Sequence, residues 1–435
     1  MLKRKWLLGV ALLLVLSLVL AAGCGEAEEV VDDDDEIVIT VAAGAVGMEL
    51  ELTRDLAEMY SAENEGVRVE VLDTPDMVED RLGLYLQFFE AGSSEVDVYQ
   101  IDVIWPGDLA EHFVDLYEHG ADEVAGDHFP AIVENNTVDG RLVGIPWFTD
   151  AGLLYYRTDL LEKYDLDPPA TWDDLEEAAQ IIQDGERAEN PDFWGFVWQG
   201  RAYEGLTCDA LEWIASNDGG TIISPEGVIT INNPNAIEIV DQAAGWVGTI
   251  SPDGVTTMAE EESRAVWHAG NAAFMRNWPY AYATSQADDS PVKDLFDVSP
   301  LPAGRSGAGA ATLGGWQLAV SQYSENPEIA ADVALYMASY EGQKYRAVEG
   351  TFNPTIMDLY EDAEVLEAAP FFGSLYDVFI NAVARPSTVT APQYSAVSEL
   401  FYNAVYDVLI GDTNAADAFE ELEIDLMDLT GFDAE

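Results

Sequence analysis

Apolar and polar positions change their spacing several times along residues 37–102. Apolar residues at every second position are typical of a half-buried strand, whereas spacings of three and four are typical of an amphipathic helix. The pattern predicts, in order, a strand, a helix, a strand, a helix and a strand over residues 37–41, 49–64, 67–72, 76–91 and 96–102. Strands that alternate with helices pair in parallel, so we expect an α/β fold with a doubly wound sheet.

Ligands of such sheets bind beyond the carboxyl ends of the strands. Asp102 lies at one of these ends, and Glu49 opens the helix that follows the first strand. Both side chains are therefore expected to face one crevice.

The remainder of the chain alternates less regularly. A second unit begins near residues 142–146, followed by a strand over 153–157. A helix begins after Thr171 in Thr-Trp-Asp-Asp, a capping-box pattern, and runs to about residue 183. Residues 272–320 are strand-like and rich in glycine and proline, whereas 327–348 and 364–435 read as helices.

The N-terminus has the order of a secretory signal peptide. Three basic residues precede an apolar run over residues 6–20 and the small segment Ala-Ala-Gly-Cys that ends at Cys24. An uncleaved anchor helix is the alternative, but the apolar run is short for a membrane span. We expect residues 1–23 to be removed after Sec export and Cys24 to be lipidated, since the segment resembles a bacterial lipobox. The polar residues 24–36 would form an acidic tether that holds the folded body at the outer face of the cytoplasmic membrane.

The cysteine and histidine content limits the disulfide and metal-binding chemistry that the chain can support. If Cys24 carries lipid, Cys208 remains as a single thiol, so no disulfide forms within the chain and a buried structural cysteine is expected. The four histidines show no metal-ligand spacing. We therefore predict no metal site and no cofactor.

The charge balance is strongly acidic. Three of the 18 basic residues lie in the predicted signal peptide, so the exported chain carries 82 acidic residues against 15 basic ones, a net charge of −67. Concentrated salt screens such self-repulsion, which suggests a halophilic source. Nucleic-acid binding is excluded by the sign of the charge.

Three segments combine aromatic rings with turn residues or arginine: residues 274–280, 312–316 and 381–386. A sugar presents apolar C–H faces to aromatic rings and hydroxyls to charged groups, so these segments suit a carbohydrate. A lone tryptophan is more often a core residue, although Gly314 and Gly315 favour close approach of a ligand to Trp316. Arg385 is equally compatible with a structural ion pair.

Several longer segments resemble the trehalose/maltose-binding proteins of ABC sugar importers, within the extracellular solute-binding proteins of family 1. The matching segments occur in the same order over about residues 37–430. They are Asp-Ala-Gly-Leu-Leu-Tyr-Tyr-Arg (150–157), Asn-Pro-Asp-Phe-Trp-Gly-Phe-Val-Trp-Gln-Gly (190–200), Tyr-Glu-Gly (203–205), Arg-Asn-Trp-Pro-Tyr (276–280), Ala-Asp-Asp-Ser-Pro-Val-Lys (287–293), Thr-Leu-Gly-Gly-Trp (312–316) and Asn-Ala-Val-Ala-Arg-Pro (381–386).

The resemblance implies a two-lobed periplasmic-binding-protein fold of type II, similar to maltose-binding protein, with a hinge between the lobes. Residues 37–145 and 272–322 would form the N-terminal lobe, and residues 146–271 and 323–435 the C-terminal lobe. The sugar would lie in the cleft between them. Permease subunits, and through them a cytoplasmic ATPase, are the implied partners.

The resemblance also implies site residues. Hydrogen bonds to sugar hydroxyls are expected from Glu49, Arg81, Asp102, Asp150 and Arg385. Rings are expected from Trp278, Tyr280 and Trp316, with backbone from Gly315, and Tyr203, Glu204 and Gly205 match a neighbouring segment. Two positions depart from the family pattern, because Phe148 and Phe352 stand where tyrosine and tryptophan are usual. The missing hydroxyl at Phe148 leaves the identity of the second sugar unit open.

Two other functions compete with a disaccharide receptor. A glycoside hydrolase would use a carboxylate pair such as Asp102 and Asp150, but no glycosidase motif is present. A receptor of the same fold for another solute, namely an oligopeptide, an amino acid or a compatible solute such as glycine betaine, is the second rival. For betaine, Trp278, Tyr280 and Trp316 would serve as an aromatic cage. The combination of carboxylates with arginine favours a polyhydroxyl ligand, and the sequence therefore predicts a binding protein that is not an enzyme.

Overall fold

A computed structural model describes residues 36–435 of the chain. The predicted signal peptide, Cys24 and the tether up to residue 35 lie outside the described residues. Within residues 36–435, no helix is long and apolar enough to cross a membrane.

The strands follow the chain in this order: β1 (Ile37–Ala43), β2 (Val67–Asp73), β3 (Val98–Asp102), β4 (Thr137–Val138), β5 (Arg141–Leu142), β6 (Ile145–Ala151), β7 (Leu153–Arg157), β8 (Trp194–Val197), β9 (Val228–Ile229), β10 (Ala272–Asn277), β11 (Phe296–Pro300), β12 (Leu313–Val320), β13 (Asn353–Pro354) and β14 (Asp433–Ala434).

The helices are α1 (Glu49–Glu63), α2 (Val78–Ala91), α3 (Pro106–Leu109), α4 (Pro130–Asn135), α5 (Thr158–Tyr164), α6 (Trp172–Glu186), α7 (Glu204–Ser216), α8 (Pro234–Trp246), α9 (Glu260–His268), α10 (Ala281–Ser285), α11 (Pro327–Met337), α12 (Tyr340–Gly350), α13 (Ala363–Ala368), α14 (Phe371–Ser374), α15 (Tyr376–Ile380), α16 (Ser387–Thr390), α17 (Tyr394–Leu409) and α18 (Ala415–Thr430).

Two mixed sheets organise the fold. The larger has the order β13-β6-β12-β3-β1-β2, and the smaller has the order β11-β7-β10-β8. Parallel pairing, expected from the alternation of strands and helices, holds for β2, β1 and β3. The sheet becomes mixed beyond β3, because β12 pairs antiparallel with both β3 and β6.

The chain crosses between the two sheets more than once. Gly152 is the single residue between β6 of the larger sheet and β7 of the smaller one. The chain returns to the larger sheet between β11 and β12. The strands of the range 272–322 are therefore divided: β10 and β11 join the smaller sheet, whereas β12 joins the larger. The expected lobe boundaries placed all three in the N-terminal lobe, and the exact boundaries stay a prediction.

Local signals near helix ends are confirmed. The Thr171 hydroxyl accepts from the Asp174 amide, and the Asp174 carboxylate accepts from the Thr171 amide, which completes the capping box at the start of α6. The predicted helix over 327–348 is instead two helices, α11 and α12. Ser339 caps α12 by accepting from the Gly342 amide, so the helix restarts there.

Most tryptophans belong to the core, as their size and hydrophobicity suggest. Seven of those among residues 36–435 are fully buried, and the Trp246 ring packs against those of Trp172 and Trp213, with centroids 5.5 and 5.7 Å away. Trp278 and Trp316 are only half-buried. These two rings therefore differ from the core set and have a face available to a ligand.

Candidate functional site

A cleft of about 670 Å³, open to solvent at its mouth, brings together parts of the chain that are far apart in sequence. Its walls include the start of α1, the end of β3, β6, the start of α7, the loop after β10 and the middle of β12. The two carboxylates expected to share a crevice, Glu49 and Asp102, both line it.

Eleven of the predicted site residues line this cleft. The acidic and basic ones are Glu49, Asp102, Asp150, Glu204 and Arg385. The aromatic ones and glycines are Phe148, Trp278, Tyr280, Trp316, Gly205 and Gly315. Sequence reasoning did not assign Asp76, Glu260 or Cys208 to the site, although all three line it too.

Arg81 does not line the cleft, contrary to its predicted role as a direct ligand. Its guanidinium carbon lies 4.3 Å from the centroid of the Trp316 ring, and the residue is fully buried. The Arg81 Nε donates to the Pro75 carbonyl at 3.0 Å, whereas Nη1 and Nη2 have no hydrogen-bond partner among the described residues. Arg81 therefore supports the Trp316 ring by a cation–π contact.

The same arrangement recurs behind the other rings of the cleft. Arg276 lies 3.9 Å from the Trp278 ring centroid, and Arg346 lies 4.4 Å from that of Phe352 and 4.9 Å from that of Phe148. Arg276 and Arg346 are each 1% exposed. Three buried guanidinium groups thus fix the orientation of the cleft aromatics in a chain that has few cations.

Arg276 is held by acidic groups. Its Nη2 lies 2.5 Å from Glu212 Oε1, its Nε lies 3.0 Å from Asp209 Oδ1, and both carboxylates are fully buried. Sequence reasoning used the segment Arg-Asn-Trp-Pro-Tyr for its rings and missed the arginine. The signal was present, since a basic residue in the middle of an apolar strand needs an ionic partner.

Tyr203 is the second predicted residue that does not line the cleft. Its hydroxyl donates to Glu260 Oε2 at 2.7 Å, while the Trp278 indole donates to Glu260 Oε1 at 3.3 Å. The next residue, Glu261, accepts from the Tyr280 hydroxyl at 2.8 Å. The start of α9 therefore orients both rings of the Trp-Pro-Tyr segment by their polar atoms.

Arg385 joins two walls of the cleft. Its Nη2 lies 3.0 Å from Asp102 Oδ1 at the end of β3, and its Nη1 lies 2.8 Å from Glu204 Oε1 at the start of α7. Glu204 also accepts from the hydroxyls of Tyr394 and Ser398, each at 2.5 Å. Arg385 thus forms a buried ion pair and also lines the cleft, and its hydrogen bond to a sugar stays a prediction.

Gly315 occupies a position that a side chain would disturb. Its φ is +119°, and a Cβ there would lie 2.5 Å from the Phe148 carbonyl oxygen. The register of β12 against β6 shifts between Trp316 and Gln317, next to this residue. The glycine and the irregularity let the Trp316 ring face the cleft.

Asp150 is the least satisfied group of the cleft. Its carboxylate is 9% exposed and makes no hydrogen bond within residues 36–435. Burial, reinforced by the charges of Glu49 and Asp102, raises the pKa of Asp150 well above its usual range. The Asp150 carboxylate oxygens that face the cleft therefore have no hydrogen-bond donor among residues 36–435, and a ligand can supply one.

A neighbouring carboxylate gives a pH prediction. Glu79 on α2 accepts from the Glu204 amide at 2.6 Å, and burial raises the pKa of Glu79 from 4.5 to about 7. A raised folded-state pKa contributes stability below the unfolded value, and this stability is lost as pH rises through the folded value. We expect wild type to lose about 2–3 kcal/mol more than Glu79→Gln between pH 4 and pH 8, measured by chemical denaturation.

The control for this prediction is Asp80→Asn, an exposed neighbour on the same helix. It should retain the wild-type pH dependence. Equal pH slopes for wild type and Glu79→Gln would contradict the assignment.

Within residues 36–435, no group of three or more histidine, cysteine, aspartate or glutamate side chains is arranged to hold a metal ion. Cys208 is a buried free thiol. The chemistry offered by the cleft is therefore that of rings, carboxylates and one guanidinium group.

Comparisons with known proteins identify relatives of the chain by sequence and by fold. The model of the bacterial extracellular solute-binding protein family matches residues 49–344. A probable ABC transporter-binding protein of Deinococcus radiodurans is 52% identical over 396 residues, which cover 91% of this chain and 94% of that protein. The solved structure of maltose-bound T. maritima MalE3 is 40% identical and superposes with a TM-score of 0.86 over 90% of this chain and 100% of that one.

A more distant relative is the maltodextrin-binding protein MdxE of Bacillus subtilis. It is 27% identical over 221 residues, 49% of this chain and 50% of that protein.

Proposed function

The chain belongs to the bacterial extracellular solute-binding proteins, and from that premise we propose that its cleft captures a disaccharide of the trehalose or maltose type. It is an exported sugar-binding component of an ABC transporter and not an enzyme. Its fold is the two-lobed one of maltose-binding proteins. As part of such a transporter it delivers sugar to a permease driven by an ATPase.

The observation that supports the disaccharide most strongly is the pairing of rings with acceptors in one cleft. Trp278 and Trp316 are half-buried and come from different sheets, since Trp278 follows β10 and Trp316 lies on β12. Carboxylates line the same cleft: Glu49 at the start of α1, Asp102 at the end of β3 and Glu204 at the start of α7. Rings stack on the C–H faces of a sugar while carboxylates accept from its hydroxyls.

A similar structure favours a small oligosaccharide. MalE3, at 40% identity, is described with bound maltose. The absence of a hydroxyl at Phe148 keeps trehalose and maltose both open as the preferred ligand.

Binding is proposed to close the cleft. Arg385 connects β3 with α7 across it, so a ligand that touches both walls stabilises the conformation in which these contacts form. We expect open and closed forms to exchange by bending at the segments that cross between the sheets, Gly152 being one of them.

Glycine betaine is a weaker candidate. Its carboxylate needs an unpaired cation, whereas Arg385, the one cation among the described residues that line the cleft, already contacts Asp102 and Glu204. The aromatic cage alone does not supply that partner.

Titration calorimetry with maltose, trehalose, sucrose and glycine betaine tests the proposal. Saturable binding of maltose or trehalose with one site per chain is expected. Binding of betaine with no response to any sugar would overturn it.

The two cleft tryptophans should carry much of the affinity. Trp278→Leu and Trp316→Leu are each expected to weaken disaccharide binding about 10–100-fold, because an aliphatic side chain cannot reproduce the stacked contact. The matched control is Trp194→Leu, since Trp194 also stacks on an arginine, Arg187, at 4.1 Å but lies outside the cleft. Unchanged affinity in both cleft variants would contradict the site.

Attachment and habitat remain proposals. We propose that lipid on Cys24 and the acidic tether hold the protein at the outer face of the membrane, and that the charge reflects a saline environment. A shift of the protein from the membrane fraction to the soluble fraction in Cys24→Ser tests the anchor.

Salt should stabilise the folded protein. The exported chain has 82 acidic and 15 basic residues, a net charge of −67, so like charges repel one another in dilute buffer, and the screening length falls to about 3 Å at 1 M salt. We expect the melting temperature to rise between 0.05 and 2 M NaCl. Neutralising the exposed α18 carboxylates Glu420, Glu421, Asp425 and Asp428 as amides should reduce that rise, and a melting temperature independent of salt in the wild type would contradict the account.

A further inference from the structure

We propose that the cleft accepts a positively charged sugar, one that carries a basic amine in place of a hydroxyl, and rejects the anionic counterpart. The inference rests on the proposed sugar-binding function and extends it to the charge of the ligand. Its basis is the imbalance of charge around an unpartnered carboxylate, Asp150.

The carboxylates that line the cleft outnumber its cations. Six side chains of this kind are present: Glu49, Asp76, Asp102, Asp150, Glu204 and Glu260. Arg385 is the single lysine or arginine among the lining residues in the described part of the chain. Its two terminal nitrogens already contact Asp102 and Glu204, so it leaves no cation for the others.

The other arginines near Asp150 lie behind the rings, and Nε and Nη2 of Arg346 have no hydrogen-bond partner among the described residues. Arg276 is paired with Asp209 and Glu212 and stacks on Trp278, while Arg346 stacks on Phe148 and Phe352. Neither of them lines the cleft. Their positive charges make the electrostatic potential at Asp150 less negative, but neither guanidinium group lies in the cleft in front of the carboxylate oxygens.

Most of the other carboxylates have partners within the protein. The Glu49 carboxylate accepts from the Gln100 side chain, and Glu260 accepts from Tyr203 and Trp278. Asp150 has none among residues 36–435 and is nine-tenths buried. A buried carboxylate is stabilised far more by an ion pair than by solvent at the mouth of a cleft.

The surroundings of Asp150 also suit an ammonium group. A Cβ on Gly314 would lie 3.1 Å from the Asp150 Cβ and 3.2 Å from Cζ3 of Trp278, so the Asp150 Cβ and the edge of the indole ring flank the same glycine. An ammonium bound to Asp150 would therefore lie near an aromatic ring. A ligand carboxylate or phosphate in the same place would face Glu49, Asp102 and Asp150 together.

Binding of an amine should also release a proton. Burial and the charges of Glu49 and Asp102 raise the pKa of Asp150, and Arg276 and Arg346 lower it to a smaller extent. An ammonium at Asp150 favours the ionised carboxylate, so the proton leaves to buffer. Binding of a neutral sugar does not require Asp150 to ionise, so it should release no proton.

The test compares ligands that differ only in charge. Calorimetry is performed with maltose or trehalose, whichever binds, with its analogues in which each hydroxyl in turn is replaced by an amine, and with its uronic acids. At least one amine is expected to bind about tenfold more tightly than the parent, because a charge-assisted hydrogen bond is roughly twice as strong as a neutral one. The uronic acids should bind at least tenfold more weakly.

Two variants test whether the preference for an amine originates at Asp150. In Asp150→Asn, the ratio of parent to amine dissociation constants should fall to about one or below, whatever the absolute affinities. Asp122→Asn, an exposed carboxylate outside the cleft, should retain the wild-type ratio. The enthalpy of amine binding should vary with the ionisation enthalpy of the buffer, whereas that of the parent sugar should not.

The outcomes separate this inference from the proposed function. Parent sugar binding with every amine equal or weaker would overturn the inference and leave the function intact. Failure of both parent and amines to bind would overturn the function. Tight binding of an amine without binding of the parent would support a cationic ligand and overturn the neutral disaccharide.

Discussion

Arg385→Met is expected to lower the free energy of unfolding by about 3–5 kcal/mol and to weaken sugar binding strongly. The substitution leaves Asp102 and Glu204 buried without their shared cation, and breaking one side of a buried ion pair carries a cost of this size. It also removes the contact between β3 and α7 across the cleft. Chemical denaturation and calorimetry measure the two effects.

Two matched variants separate charge from geometry. Arg385→Lys retains the charge but lacks two terminal nitrogens spaced to reach both carboxylates, so it should recover only part of the stability. The triple variant Arg385→Met, Asp102→Asn, Glu204→Gln removes all three charges and should be more stable than Arg385→Met alone. A single variant as stable as wild type would contradict the role assigned to this bridge.

Arg276→Met should produce the second large effect, again about 3–5 kcal/mol in stability. Glu212 and Asp209 are fully buried and would lose their cation, and Thr312 also donates its amide to Glu212. The lost contacts therefore destabilise the start of β12 as well as β10. Sugar affinity should fall in addition, because the Trp278 ring loses the guanidinium group that packs against it.

The control is Arg187→Met, which removes the same kind of arginine–tryptophan stack from Trp194 outside the cleft. It should cost about 1 kcal/mol, much less than Arg276→Met, because Arg187 is only partly buried and forms no salt bridge among the described residues whose loss would strand a buried carboxylate. Equal destabilisation by both variants would show that the buried carboxylates at Arg276 are not the cause.

Much of the first sheet could be predicted from the sequence. The period of apolar positions predicts β1, α1, β2, α2 and β3 in order, because each of these elements is built from local contacts. The antiparallel insertion of β12 next to β3 could not be predicted in this way. Trp316 lies opposite Asp102, and no local pattern connects residues so distant along the chain.

The sequence predicted which residues lie at the candidate site better than it predicted how they are arranged there. Short segments rich in rings and glycine identified Trp278, Gly315 and Trp316, all of which line the cleft. The positions of Arg81 and Tyr203 behind the lining residues depend on packing across the fold. Tyr203, for example, reaches Glu260 from 57 residues away, a contact that spacing along the chain does not reveal.

The central claim is that rings and charged groups from both sheets hold one small sugar, and a crystal structure of the protein grown with its tightest-binding disaccharide tests it most directly. The account predicts sugar rings in van der Waals contact with Trp278 and Trp316 and hydroxyls hydrogen-bonded to Asp150. A sugar bound elsewhere on the protein, with this cleft empty at saturating ligand, would contradict it.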